Sequence, residues 1–254
     1  MFLPEGIMSR KNLITLMAVV LIMAVYTAVY VILPKERQVN GRSSSGNQQE
    51  TNQDTIEIDI TEKTVVIDSG HGGYDPGKES SDGILEKDIN LKIAYELKGL
   101  LEKSGIKVVM TRTDDNGLYQ ESDANKKIAD MKKRCSLIDE CKADIVVSIH
   151  QNSYQSPEVR GAQMFYYKHS AEGKKLAKCL QKSFKENLDP DNKRQEKADS
   201  TYYMLLHTSA PTVIAECGFL SNPQEAAKLN TPDYQKRVAE ALYSGIIEYF
   251  TNGD

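Results

Sequence analysis

Residues 64–73 read TVVIDSGHGG, a run of β-formers that ends on a histidine set among glycines. Val65, Val66 and Ile67 form the continuous apolar pattern of a strand covered on both faces. Gly70, Gly72 and Gly73 then let the backbone turn sharply. Nothing apolar can cover His71 in that turn. Taken alone, the segment also fits a plain turn after a buried strand, with an exposed histidine. What decides between the two is what the rest of the chain brings to His71.

Further strand patterns follow at KVVMTR (107–112), DIVVSIH (144–150), GAQMFYY (161–167) and TVIAECG (212–218). Helical patterns lie between them. After Glu86, apolar residues fall at Ile89, Ile93, Leu97, Leu100 and Leu101, a stripe that stops at Gly105. Residues 122–142 carry a second helical signal. Ser170 caps a third helix through Leu176, Leu180 and Phe184, and Asn222-Pro223 and Thr231-Pro232 each read as an N-cap followed by proline. The last helix runs through Val238, Leu242, Ile246 and Tyr249. Strands alternating with helices predict a single α/β domain with a mostly parallel central sheet sandwiched between helices.

The chain has 254 residues, and the domain occupies 56–252 of them. A short tail (1–12) precedes Leu13–Leu33, 21 residues without a charge. At the helical rise these span roughly 30 Å, about one hydrocarbon core, and exceed the apolar region of about 7–15 residues in a cleavable signal peptide. No convincing cleavage site follows, so the run reads as an uncleaved transmembrane anchor, with a cleaved signal as the alternative. Residues 34–55, polar and rich in Ser, Gly, Asn and Gln, read as a flexible linker. A net charge of −4 without a basic block gives no sign of nucleic-acid binding. Cys135, Cys141, Cys179 and Cys217 form no CxxC pair and match no structural zinc spacing. They read as small buried hydrophobes with no disulfide framework.

In open α/β sheets, sites form beyond the carboxyl ends of the strands. His71 follows one strand, His150 closes another, and Glu216 lies near the end of TVIAECG. Glu86 opens the first helix, where the chain returns from the His71 loop. Two histidines and a carboxylate are the ligand set of a catalytic zinc site, and a second glutamate stays free to act as base. Glu216, flanked by Val213, Ile214, Ala215 and Cys217, is costly to bury unless it is paired or ligating. His150 also fits a hydrogen-bonded rim residue, and Glu86 also fits a helix-start acid. His169 and His207 have no comparable context.

Five fragments in order make the chain resemble the zinc-dependent N-acetylmuramoyl-L-alanine amidases of the amidase-3 family, cell-wall hydrolases. They are IDSGHGGYDPG, EKDIN, TRTDD, SIHQN and ECGFLSN, and the resemblance covers nearly all of residues 63–250. It implies a phosphorylase/hydrolase-like fold, Zn²⁺ held by His71, Glu86 and His150, and Glu216 as the catalytic carboxylate. Asn152, Gly73 and Arg134 stand where the family pattern suggests substrate contacts. The implied substrate is peptidoglycan, cut between N-acetylmuramic acid and L-alanine.

The chain departs from the family pattern in three places. Ser69 stands where the family has proline, residues 116–130 form a longer stretch, and Leu205-Leu206 replace a Leu-Arg pair. The long stretch and the anchored, compact form resemble the subgroup acting on spore cortex, where peptide removal leads to muramic-δ-lactam and germination. That resemblance implies an exported lipoprotein activator as partner and a catalytic domain outside the cytoplasm. The rival readings are a catalytically silent peptidoglycan-binding or activator module and a zinc peptidase of other specificity.

Overall fold

The structure is a computed structural model and describes residues 59–252; the tail, anchor and linker expected within 1–55 lie outside the described residues. Among the described residues no helix is long and apolar enough to cross a membrane.

The chain opens with β1 (Thr64–Ser69), α1 (Glu86–Lys103), β2 (Lys107–Met110), α2 (Lys126–Glu140) and β3 (Ile145–Asn152). It continues through β4 (Gln163–Tyr167), α3 (Ala171–Asn187), β5 (Lys197–Asp199) and α4 (Tyr203–His207), and closes with β6 (Thr212–Phe219), α5 (Pro223–Leu229) and α6 (Pro232–Thr251). The six strands form one sheet in the order β2-β1-β3-β6-β4-β5. β1, β2, β3 and β6 run parallel, whereas β4 pairs with β6 antiparallel and with β5 parallel. The sheet is therefore mixed, a refinement of the mostly parallel expectation. The short edge strand β5 carries no apolar run and left no strand signal in the sequence.

Alternation along the strands builds two cores. Val65 and Ile67 face a large cluster with α1, α3 and α6, while Val66, Val146 and Ile214 face a smaller one with Cys135 and Ile138 of α2 and Met204 and Leu205 of α4. Because the side-chain period is two, Asp68, Ser148, His150 and Glu216 all follow these last three onto the α2/α4 face. The caps at Ser170, Asn222 and Thr231 accept from the amides of Gly173, Glu225 and Tyr234, as their sequence positions predict. Cys135 and Cys217 are buried, Cys141 and Cys179 partly so, and all four are free.

Strand order places the site. From β1 the chain crosses to β2 on one side and then to β3 on the other, so β1 and β3 separate at their carboxyl ends, the topological switch point of such sheets. His71 and His150 lie at that split. Close approach of helices closes the other side of the sheet. A Cβ on Gly245 would lie 2.8 Å from Leu180 Cα, so α3 and α6 touch through backbone there. Gly245→Ala gains about 1 kcal/mol of helix propensity, but overpacking costs about 1–3 kcal/mol. The variant should unfold at a lower denaturant midpoint than wild type; a higher midpoint would show that the two helices part freely.

Candidate metal centre and active site

β1 ends at Ser69, and the Gly70 amide donates to Ile149 O of β3 at 3.0 Å, the last bond before the strands part. His71 then takes φ 64°, the left-handed region that residues other than glycine rarely occupy. A Cβ on Gly70 would overlap the His150 ring, and one on Gly77, itself at φ 71°, would lie 2.7 Å from His71 Cδ2. These two glycines are therefore required by the imidazoles packed on them. His71 is only partly exposed, because polar groups of the site itself cover it.

Glu86 starts α1 and is 2 % exposed. Its Oε1 lies 3.2 Å from His71 Nε2 and 2.9 Å from His150 Nδ1, and accepts from the Gln151 amide at 3.0 Å. Its Oε2 accepts from the Lys78 amide at 2.8 Å. One ligand atom from each of His71, Glu86 and His150 lies within 4.8 Å of the others. His71 Nδ1 faces Asp75 Oδ2 at 3.0 Å, the carboxylate–histidine arrangement that turns Nε2 toward a metal. Two nitrogens and a carboxylate oxygen converging around one point, with a carboxylate behind one imidazole, fit zinc. Burial resists charge on Glu86, but hydrogen bonds from His150 and His71 hold its carboxyl well below the usual carboxylate range. Burial likewise resists charge on His71, yet Asp75 and Glu86 push it up to about 9.

Glu216 pairs in register with His150 across β3 and β6, and the register shifts between His150 and Asn152, where the strand reaches the cleft. Its Oε1 accepts from Tyr202 Oη at 3.2 Å, and its Oε2 is buried with no partner. Burial raises its pKa, and Glu86 adds to that while His150 and Tyr202 oppose it. Burial and Glu216 raise Tyr202, which keeps the phenol protonated and donating.

A cleft of about 420 Å³ opens over this cluster, with Tyr74, Asn152 and Tyr203 among its walls. Asn152, the substrate contact that the resemblance implies, lines it. Gly73 does not line the cleft. At φ 60° it packs on Tyr119, whose Oη would lie 2.6 Å from a Cβ there, and the expected substrate contact becomes a conformational role. Arg134 also lies in the cleft wall, but its side chain is 1 % exposed and four of its five N–H groups donate to Asp68, Asp130 and the carbonyls of Ser69 and His71. His169 packs edge-on against Tyr167 and His207 stacks on Tyr203, apart from the cluster. Sequence reasoning missed Asp75 and Tyr202; Asp75 lies only four residues after His71, but Tyr202 reaches Glu216 through tertiary packing alone.

A family model described as N-acetylmuramoyl-L-alanine amidase matches residues 65–248. The chain belongs to this family. The germination-specific N-acetylmuramoyl-L-alanine amidase of Bacillus subtilis (strain 168) is 37 % identical over 197 residues, covering 76 % of this chain and 82 % of that one. Among solved structures, the CwlD amidase from Clostridioides difficile in complex with the GerS lipoprotein is 40 % identical with a TM-score of 0.73, covering 76 % of this chain and 100 % of that one. An N-acetylmuramoyl-L-alanine amidase from Clostridium difficile 630 is 32 % identical with a TM-score of 0.66, covering 74 % and 97 %.

Proposed function

We propose that this amidase is zinc-dependent and cleaves the amide between the lactyl group of N-acetylmuramic acid and L-alanine, acting on spore cortex. The observation that carries the reading is Glu216: a buried carboxylate with one oxygen unpartnered, beside a converged His71–Glu86–His150 set. The likeness to a germination-specific amidase supports the cortex as substrate, and the GerS complex of the similar CwlD amidase supports an exported lipoprotein partner. The presence of His71, Glu86, His150 and Glu216 in one cleft supports a working enzyme over a chain that kept the fold and lost the chemistry.

Bound by His71, Glu86 and His150, zinc supplies Lewis acidity that polarises a carbonyl and lowers the pKa of water from about 15.7 toward about 7. Hydrolysis forms a C–O bond from water and breaks the C–N bond of the amide. Glu216 Oε2 accepts the proton that water gives up and returns it to the departing amine. Tyr202, donating to Oε1, leaves Oε2 free for that proton. Burial favours the neutral carboxyl and so raises the affinity of Glu216 for the proton it must take. Asp68 is unsuited to the role, since Arg134, Thr111 and Ser148 occupy both its oxygens.

Glu216→Gln keeps nearly the same volume and removes the proton acceptor. In the full chain, assayed with its lipoprotein partner, it should retain zinc while releasing peptides with a free L-alanine amino terminus about 10²–10⁴-fold more slowly. Mass spectrometry of muropeptides reads the product. Wild-type rates would move the base elsewhere, and cleavage within the stem peptide would make the enzyme a peptidase.

The charge-free run Leu13–Leu33 supports an uncleaved anchor that holds the domain at the outer face of a membrane. Fractionation should then find the full chain in membranes and a chain lacking residues 1–34 released from them. A mature protein that begins after residue 33 would identify the run as a signal peptide.

A further inference from the structure

The carbonyl oxygens of Ser69, Gly70 and His71, three in succession, accept from two buried guanidinium groups. Arg112 donates from Nε to Ser69 O at 3.0 Å and from Nη2 to Gly70 O at 3.2 Å. The same Nη2 donates to Lys87 O at 2.8 Å, and Nη1 to Asp114 O at 2.7 Å. Arg134 donates from Nη1 to Ser69 O at 2.8 Å and from Nη2 to His71 O at 2.7 Å. It is anchored by Asp68 at 2.7 Å and Asp130 at 2.6 Å. The two arginines are 3 % and 1 % exposed. Two guanidiniums beside two carboxylates leave this buried group with no net charge.

The acceptors are informative. Lys87 follows Glu86, so one nitrogen of Arg112 ties the backbone of the His71 loop to the backbone next to Glu86. Arg134 holds His71 by its own carbonyl, at the residue whose φ of 64° the chain would otherwise abandon. Asn90 completes the tie, donating to Gly70 O at 3.1 Å and to Glu86 Oε1 at 3.4 Å. A planar fork presents five donors in a fixed, spread geometry, whereas an ammonium offers three from a single point.

We propose that Arg112 and Arg134 are positioning residues for the metal: they hold the His71 loop against the start of α1 so that His71 Nε2 and Glu86 Oε1 are set for one ion. The proposal rests on the reading that His71, Glu86 and His150 hold zinc. Arg134, which the family resemblance placed against substrate, is tied to the His71 carbonyl itself.

The test compares Arg112→Lys and Arg134→Lys with wild type in the full chain, measuring zinc affinity by chelator competition and the absorption of the cobalt-substituted site. Thermal unfolding of the metal-free protein is followed in parallel. Residues that orient metal ligands typically alter affinity by about 10–100-fold. Both variants should lose zinc affinity in that range and change the cobalt spectrum, whereas Ile93→Val, a change in the apolar core, should lower stability without changing either. If Arg134→Lys fails to fold because Asp68 loses its partner, Arg112→Lys carries the test, since all its acceptors are carbonyls. Zinc affinity within about twofold of wild type in Arg112→Lys, or an equal loss in Ile93→Val, would overturn the proposal. Failure of wild type to bind zinc would instead sink the ligand reading beneath it.

Discussion

A carboxylate taken out of water must find charge or hydrogen bonds, and Glu86 at 2 % exposure is the group around which this site is arranged. Its two oxygens accept from the amides of Gln151 and Lys78, and Oε1 faces both imidazoles. These partners come from three parts of the fold: the end of β3, the loop after β1 and the turn leading into α1. Satisfying Glu86 therefore draws together the segments that carry His71 and His150, the other two candidate ligands. The left-handed His71 and the glycines at 70 and 77 are the local conformational conditions for that convergence.

Two carboxylates of one cleft are thereby given opposite characters. Glu86 is held ionised by its donors and imidazoles, which suits a ligand. Glu216 has a single donor, Tyr202, and burial favours its neutral form, which suits a group that must gain and lose a proton. Residue type does not distinguish them. The difference lies in how many donors the fold aims at each.

Local patterns carried much of this architecture. The apolar runs of β1, β3 and β6 and the helix caps were legible because strand period and cap chemistry act within a few residues. His71, His150 and Glu216 were legible because each terminates or interrupts such a run. Bottom-up reading left open which glutamate ligates, and the family resemblance supplied the assignment. The direction of β4, the edge strand β5, the Tyr202 contact and the burial of Arg134 were not legible, because each depends on pairing between distant segments. An arginine on a helix looks alike in sequence whether it faces substrate or carbonyls beneath a loop. Only the path of the chain from β1 to β3 decides it.

The central claim is that His71, Glu86 and His150, and not Glu216, bind one zinc ion. Anomalous diffraction at the zinc edge from crystals of the zinc-loaded full chain tests it most directly. The account predicts one peak about 2.0–2.2 Å from His71 Nε2, His150 Nδ1 and a Glu86 oxygen, with Glu216 beyond bonding distance. A peak bonded to Glu216 as a fourth protein ligand, or one lying away from the three residues, would contradict it.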